Sequence, residues 1–159
     1  MEKQKLLQAV KASISEVLET MFFLPIDYTE IVEAITFNGA IKDDMELVEV
    51  GFSGMFSGTF LLVIPDDLAL FLTASFLGSI EERVLPAHVL ETKKEMANMI
   101  AGNTFTHFND QVEFDLGIPE IVCARDALNG AGRGEEIVYQ SHTLEKSLFI
   151  RVALKDEPC

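Results

Sequence analysis

Two amphipathic helical patterns, one at the start of the chain and one in its middle, are each followed by short apolar segments. In the first pattern apolar residues recur at helical spacing from Leu6 to Met21, and Pro25 follows. The second pattern covers residues 90–109, where Met96, Ile100 and other apolar residues share one side. A helix with one apolar side has to bury that side against another element. The chain is therefore expected to adopt an α+β fold with two long packed helices.

The segments between the helices are rich in Val, Ile, Leu and Phe and are punctuated by Gly and Pro, which is typical of strands and turns. Residues 30–37 are ambiguous, with strand character at their end. The expected strands are 45–54 and 56–65, which form a hairpin, and 114–125, 135–143 and 146–155. A shorter helix is expected over 66–78, with Asp66 as N-cap and Gly78 as its stop, followed by an acidic linker containing Pro86. Residues 129–134 are expected to form a loop.

The resulting order is helix, three strands, helix, helix, three strands, which indicates an internal duplication. At 159 residues the chain suits one domain with a sizeable core. We expect a single domain built from two similar halves, residues 1–78 and 79–159.

The polar side of the second long helix carries an unusual set of residues. Glu91, Glu95, Asn98 and Gly102 fall within an arc of about 60° at helical spacing. A solvated helix side would normally mix Lys and Glu at i,i+4 spacing, and an internal glycine costs about 1 kcal/mol relative to alanine. A flat spot beside Glu95 and Asn98 suits the approach of a partner or substrate. Close packing of Gly102 against a neighbouring backbone explains the glycine equally well.

The charge balance excludes several classes of partner. The formal net charge is −14 and the isoelectric point is about 4.5, so nucleic acid and anionic membranes would be repelled. No apolar run approaches the ~20 residues of a membrane span, and the N-terminal segment reads as an amphipathic helix instead of a signal peptide. Cys123 and Cys159 make no disulfide framework, which favours a reduced, cytoplasmic protein.

Other chemistry finds little support in the sequence. His88, His107 and His142 show no metal-ligand spacing, and residues 129–134 lack the Lys-Ser/Thr of a phosphate-binding loop. Glu91 and Glu95 could bind a divalent metal only with further ligands that the sequence does not identify. We therefore expect no metal site.

The stretch EMANMIAGN, residues 95–103, together with the acid at Glu91 and the later Pro119, resembles the active-site helix of the CheC/CheX/FliY chemotaxis phosphatases, most closely the CheX branch. The matching positions of the family motif are Glu91, Glu95, Asn98 and Pro119. Glu91 stands where the family usually has Asp or Ser, and the spacing from Asn98 to Pro119 is shorter than usual. The motif match covers about nine closely spaced residues, and the order of elements agrees over most of the chain.

The resemblance implies a CheC-like fold, with an antiparallel sheet and the long helices packed on one face. It implies a phosphatase acting on a phosphorylated CheY-type response regulator, which would supply the Mg²⁺, so that this chain needs no cofactor of its own. Asn98, expected to be solvent-exposed, is assigned to orienting the attacking water, and Glu95 to pairing with the regulator's lysine. Glu91 and Gly102 are assigned to partner binding. The resemblance also implies a homodimer joined at sheet edges, for which residues 146–155 offer a long apolar edge.

The first helix is expected to carry no second site. Ser15, Glu19 and Phe22 align with Glu91, Glu95 and Asn98, but Phe22 cannot hydrogen-bond water. Two alternatives to the phosphatase remain open. One is a non-catalytic module that binds a response regulator or flagellar-switch protein through the same helix, and the other is a metal-dependent carboxylate hydrolase.

Overall fold

The computed structural model describes residues 2–109, 111, 113–129, 134–143 and 146–155. Its α-helices are α1 (Glu2–Met21), α2 (Ala34–Ala40), α3 (Asp66–Leu77), α4 (Pro86–Phe108) and α5 (Ala124–Asn129), with a 3₁₀ turn at Glu81–Arg83. Its strands are β1 (Tyr28–Val32), β2 (Glu46–Ser53), β3 (Gly58–Val63), β4 (Asp115–Leu116), β5 (Glu120–Cys123), β6 (Glu135–His142) and β7 (Ser147–Leu154).

The same succession of elements occurs twice along the chain. A long helix is followed by strand, short helix and hairpin, first as α1, β1, α2, β2 and β3, then as α4, β4 with β5, α5, β6 and β7. The tandem arrangement expected from the sequence is thereby confirmed, with a short helix in each half that the sequence patterns did not reveal. We propose the break between the halves near residue 78, after α3.

The strands form one antiparallel sheet in the order β1, β6, β7, β3, β2, β4, and β5 also pairs with β2. The hairpin expected over 45–54 and 56–65 is confirmed as β2 and β3, in register from Val48 opposite Leu62 to Phe52 opposite Gly58. The two halves interleave in the sheet, because β6 and β7 lie between β1 and β3.

Successive residues of the central strands point to opposite faces of the sheet, and each face is covered by helices. Val48, Val50 and Phe52 of β2 belong to the larger core, beneath the long helices α1 and α4 together with α3. Leu47 belongs to a smaller core beneath α2 and α5. The long helices thus lie on one face, as expected, and the short ones on the other.

Buried polar contacts fix the long helices on the sheet and on one another. The Ser13 hydroxyl of α1 donates to the Ile100 carbonyl of α4 at 2.6 Å, and both residues are buried. The Tyr139 hydroxyl of β6 donates to the Leu7 carbonyl at 2.9 Å, and burial raises the pKa of this phenol above its ordinary value. Because a buried donor has to find a partner, these two hydrogen bonds help to fix α1 against both the sheet and α4.

The expectation of strand character at the end of residues 30–37 is wrong. Strand β1 stops at Val32, and α2 begins at Ala34. Phe37 is buried on the second face of the sheet, with its ring edge-on to Phe149 at a centroid separation of 6.2 Å. Burial of this aromatic side chain outweighs the local β preference of the segment.

The segment 114–125 is not one continuous strand. It forms β4, then β5, and its last residues begin α5. Gly117 and Pro119 lie between the two short strands. Proline has no backbone N–H to give to a ladder, so pairing with β2 is interrupted there.

Two helix starts differ from expectation. The N-cap of α3 is Pro65, which gives no side-chain hydrogen bond to the helix. Asp66 is the first helical residue. Pro86, expected in a linker, is the first residue of α4, a position that favours proline because its N–H would be unpaired there. The stop at Gly78 is confirmed, since this residue caps α3 with φ = 64°, a conformation that glycine adopts without strain.

The expectation that residues 146–155 offer an exposed sheet edge is wrong. Strand β7 lies inside the sheet and pairs with β6 on one side and β3 on the other. The exposed edges are β1 at one end and β4 with β5 at the other. Of the expected loop at 129–134, residues 130–133 lie outside the described residues, as does Cys159. Among the helices that the structure describes, none is both long and apolar enough to cross a membrane.

Candidate functional site

Helix α4 presents the candidate site because its buried side fixes which residues face outward. The residues it buries are Thr92, Lys93, Met96, Ala97, Ile100, Ala101, Thr104, Phe105 and Phe108. Helical geometry then places Glu91, Glu95, Asn98 and Gly102 on the remaining face. The expected grouping of these residues on one face is what the structure has.

The two carboxylates of this face are exposed and differ in their surroundings. Glu91 forms an ion pair with Lys94 at 3.4 Å, one turn along the helix. Glu95 is exposed. Among the hydrogen bonds and ion pairs formed between described residues, none uses the Glu95 carboxylate, which is therefore available for a cation from a partner.

Asn98 is half-buried, which differs from the expectation of a freely exposed side chain. It lines an open groove of about 450 Å³ between α1, α4 and β4, together with Thr20, Met21, Gly102 and Leu116. The difference arises because α1 packs alongside α4, which helical spacing alone does not reveal. The groove mixes apolar residues such as Met21 and Leu116 with polar ones such as Thr20, and it is open to solvent.

Gly102 separates this groove from a second one. The second groove, of about 360 Å³, also includes Leu116, with Phe105 and Asn109 at its other end. A methyl group at Gly102 would meet only the Leu116 Cδ1 atom, at an ordinary 3.6 Å. Close backbone packing therefore does not require glycine at this position, and the alternative explanation from the sequence is not supported.

Glu16 of α1 lines the groove and is bound by a histidine of α4. The His107 ring nitrogen Nε2 lies 2.5 Å from the Glu16 carboxylate, joining α4 to α1. The hydrogen bond from His107, with a smaller contribution from Asn103, holds the pKa of Glu16 below its ordinary value. The lowered pKa favours the ionised carboxylate of Glu16 at this side of the groove.

Lys93 anchors the same helix from beneath and was not identified from the sequence. Its side chain is 5% exposed, its ammonium donates to the Glu46 carbonyl of β2 at 3.2 Å, and it lies 3.6 Å from the Asp66 carboxylate of α3. The one signal in the sequence is a lysine on the apolar stripe of α4. Such a residue has to reach a polar partner, because an unpaired buried charge is costly.

The corresponding face of α1 is built differently. Glu19 is exposed, but Phe22 is buried and stacks on Phe76 with ring centroids 5.1 Å apart. Phe22 is thus a core residue where α4 has Asn98. The exposed neighbour Phe23 adds no hydrogen-bonding group.

The histidines are dispersed and each has its own contact. His88 accepts from the Leu85 N–H at the start of α4, at 3.1 Å, and His142 pairs with Glu30 at 2.6 Å. Within the described residues, no group of three or more His, Cys, Asp or Glu side chains could hold a metal ion. On α4 itself, Glu95 and Asn98 place a carboxylate and a carboxamide one turn apart.

The fold is that of the CheC-like proteins. The crystal structure of a CheC-like superfamily protein from Shewanella sp. PV-4 matches with a TM-score of 0.70 at 17% identity, covering 96% of this chain and 98% of the other. The CheX protein of Desulfovibrio desulfuricans matches with a TM-score of 0.72 at 14% identity, covering 94% and 99%. The CheX–CheY–BeF₃–Mg²⁺ complex of Borrelia burgdorferi matches with a TM-score of 0.71 at 16% identity, covering 94% and 97%.

The family model of the chemotaxis phosphatase CheX matches residues 47–140, more than half of the chain. This chain belongs to the CheX family. A comparison with curated proteins gave no significant match. The matched region begins after the long first helix and includes α4 with Glu91, Glu95, Asn98 and Gly102.

Proposed function

We propose that this protein accelerates the dephosphorylation of a phosphorylated CheY-type response regulator. The observation that carries the proposal is that α4 presents two suitable residues one turn apart. Glu95 is exposed and unpaired among the described residues, and Asn98 lines an open groove. Membership of the CheX family and the likeness to a CheX protein crystallised with CheY support the same reaction class.

The proposed chemistry assigns Asn98 to the water. Hydrolysis of an aspartyl phosphate needs a water molecule in line with the phosphorus–oxygen bond that breaks. A catalyst contributes mainly by positioning groups, because little covalent chemistry is required of it. A carboxamide offers one acceptor and one donor group, so Asn98 can orient the water without adding charge. A carboxylate in the same place would add negative charge beside the phosphoryl oxygens.

Glu95 is assigned to docking. It lies one turn before Asn98, exposed and unpaired among the described residues, and a lysine of the regulator beside its phosphorylation site is the cation that it would meet. An ion pair formed as the two proteins associate fixes orientation as well as adding affinity. Glu91 and Gly102 are assigned to the rim of the same contact, with Glu91 partly neutralised by Lys94.

The Mg²⁺ of the reaction is assigned to the regulator. The Borrelia burgdorferi complex contains CheY, beryllium fluoride and Mg²⁺ together with CheX. The present chain needs no cofactor of its own under this proposal, because its contribution is a positioned amide. Response regulators of this class act in the cytoplasm, which is where we place the reaction.

The test is the decay of a phosphorylated regulator with catalytic amounts of this protein. Candidate regulators are CheY-type proteins from the same genome, labelled with ³²P by their kinase or by a small phosphodonor. Decay that accelerates in proportion to the protein, through many turnovers, supports the proposal. Decay unchanged for every regulator tested would contradict it.

A second candidate function is binding without hydrolysis to a response regulator or flagellar-switch protein. The observation that favours it is Glu91, which replaces the usual Asp or Ser of the motif and is already paired with Lys94. In that case this protein would form a stable complex with the regulator, and the decay of the phosphorylated regulator would be unchanged. The metal-dependent hydrolase has no comparable support.

A further inference from the structure

A strip of apolar side chains is exposed at one edge of the sheet, beside α4. Its members are Leu116 of β4, Ile118 of the connection that follows, and Ile121 of β5, which are 37%, 84% and 43% exposed. Ile118 is an isoleucine displayed almost entirely to solvent. We refer to these three residues as the edge strip.

The strand register places the edge strip on the same face of the sheet as α4. Leu116 pairs with Phe52 and Ile121 pairs with Val48, and both partners belong to the core beneath α4. Directly opposite residues of an antiparallel pair share a face. Ile118 is two residues beyond Leu116, so their Cα atoms are no more than about 7 Å apart.

Two contacts fix the strip along the site helix. Leu116 lies against Gly102 and lines the groove of Asn98. At the other end, Lys93 of α4 donates to the carbonyl of Glu46, the residue paired with Cys123 at the end of β5. The strip therefore runs beside the stretch of α4 that carries Glu95 and Asn98.

The strip is held rigidly in spite of its exposure. The Gly117 N–H donates to the Gly51 carbonyl at 2.7 Å, and the Phe114 ring stacks on Phe105 of α4 with centroids 4.1 Å apart. Pro119 restricts the backbone of Ile118 to extended conformations. A side chain displayed from a fixed backbone loses little entropy on binding, which favours its use as a contact.

The local backbone is poorly suited to adding a strand from a second copy of this chain. Strand β4 has only two residues, and Gly117 to Pro119 interrupt the edge before β5 begins. Short edge strands and proline are features that prevent edge-to-edge pairing. The strip is thus suited to side-chain contacts.

We propose that the edge strip is a docking surface for the phosphorylated response regulator, contacting it while Asn98 enters its phosphorylation site. The inference rests on the proposed function, since it names a further contact of that partner. Leu116 belongs both to the edge strip and to the groove of Asn98, so a regulator that docks at Asn98 would also meet the strip. Glu113 and Asp115 line the adjoining groove together with Leu116, so acidic charge borders the strip and complements a partner patch with an apolar centre and basic rim.

The test compares Ile118→Ala with two control variants. Ile35→Ala removes an isoleucine of similar exposure, 76%, from α2 on the opposite face of the sheet. Ile118→Leu keeps the apolar volume at the strip. Each variant is titrated by calorimetry with the regulator loaded with BeF₃⁻ and Mg²⁺, and KM and kcat are measured with the phosphorylated form.

We expect Ile118→Ala to weaken binding and raise KM by about tenfold, the effect of losing roughly two buried methylene groups, with kcat unchanged. Ile35→Ala should behave as wild type, and Ile118→Leu should recover most of the affinity that Ile118→Ala loses. Wild-type affinity in Ile118→Ala would overturn the inference. A smaller mass of that variant than of wild type in light scattering would also overturn it, because the strip would then contact a second copy of this chain.

The binding titration separates this inference from the proposed function. If wild type binds the loaded regulator without accelerating its decay, and Ile118→Ala binds about tenfold more weakly, the docking surface stands and the phosphatase does not. Failure of wild type to bind any loaded regulator overturns both.

Discussion

At the scale of single residues, the site depends on what surrounds one carboxamide. Asn98 is half-buried in a groove whose walls include Met21 and Leu116, so its side chain has less freedom than a fully exposed one. Preorganised groups lose less on binding than mobile ones, and small displacements of positioning groups are costly in rate. Glu95, in contrast, is exposed and unpaired among the described residues, as suits a residue that meets a partner's cation.

Replacing Asn98 should separate catalysis from stability. Asn98→Ala should reduce the accelerated decay of the phosphorylated regulator by about 10²-fold or more, because the water loses its orienting groups. Asn98→Asp should be as poor or worse, since it adds negative charge and removes the donor. Both should shift the free energy of unfolding by only about 1 kcal/mol or less.

Single-turnover decay and thermal melts with the Asn98 variants check this prediction. Full activity of Asn98→Ala would remove Asn98 from the mechanism. A collapsed melting temperature would instead make the residue structural.

Replacing Gly102 with alanine should raise the stability of the protein and weaken its action on the regulator. Gly102→Ala meets only Leu116 Cδ1 at 3.6 Å and should gain up to about 1 kcal/mol of helix stability, a rise in Tm of about 2–4 °C. If the bare backbone clears the approach of the regulator, the same variant should raise KM severalfold.

Gly39→Ala is the matched control, since its new methyl group would meet nothing within 4 Å on α2. It should raise Tm without changing KM, as measured by melts and steady-state decay. Unchanged KM in both variants would mean that Gly102 has no part in docking.

At the scale of elements, α1 and α4 are equivalent helices with different outer faces. Each buries one side on the same face of the sheet, and Ser13 ties them together through the Ile100 carbonyl. At the aligned position, however, the residue just after α1 is the buried Phe22, whereas α4 has Asn98. A core residue cannot also serve as a water-positioning group, so the two helices can share a fold without sharing a site.

The comparison of Glu19→Ala with Glu95→Ala tests the single-site proposal. Glu19→Ala should leave the decay rate of the regulator nearly unchanged, because no carboxamide follows it at one turn. Glu95→Ala should raise KM strongly through the lost ion pair. Comparable losses in the two variants, assayed side by side at several substrate concentrations, would point to two sites in each chain.

The contact between Glu16 and His107 should give an acid-dependent contribution to stability. Because the His107 hydrogen bond lowers the pKa of Glu16 below its ordinary value of 4.5, the contribution is present above that pH and is lost as pH falls through the folded-state pKa. Glu16→Gln should therefore lower Tm near pH 6, by about 2 °C or less for so exposed a group, and the difference should vanish at more acid pH. Melts from pH 3 to 7, with Glu19→Gln as control, check this, and a difference that persisted at pH 3 would contradict it.

At the scale of the whole molecule, the sheet decides which surfaces remain for partners. Interleaving of the two halves places β7 in the interior, with β1 at one edge and the interrupted β4 and β5 at the other. Strand β1 pairs with β6 through its whole length from Tyr28 to Val32 and leaves its other side unpaired among the described strands. Ile31, exposed on this strand, adds apolar surface there.

We predict a homodimer joined through β1. Its mass in light scattering should be twice the 17.7 kDa of one chain across micromolar concentrations. Ile31→Lys should favour the monomer, because a charge on an edge strand opposes pairing with a second copy. A monomeric wild type would exclude the dimer, and a dimer unaffected by Ile31→Lys would assign it to another surface.

The sequence by itself determined what depends on neighbours along the chain. The spacing of Glu91, Glu95, Asn98 and Gly102 places them on one face of any α-helix, whatever the helix packs against. Hairpin β2–β3 and the stop at Gly78 follow from equally local preferences, and the repeated order of elements is visible in the apolar pattern. These features define the fold class and the members of the candidate site.

Only the tertiary structure decided what depends on contacts between distant segments. The interior position of β7, the pairing of Lys93 with Glu46 and Asp66, and the contact of Leu116 with Gly102 each join residues far apart in sequence. Packing of α1 alongside α4 made Asn98 half-buried, and burial of Phe37 formed α2 where the local pattern favours a strand. Local periodicity specifies which side of an element is apolar, whereas the free energy of burial, summed over the whole chain, selects the element that covers it.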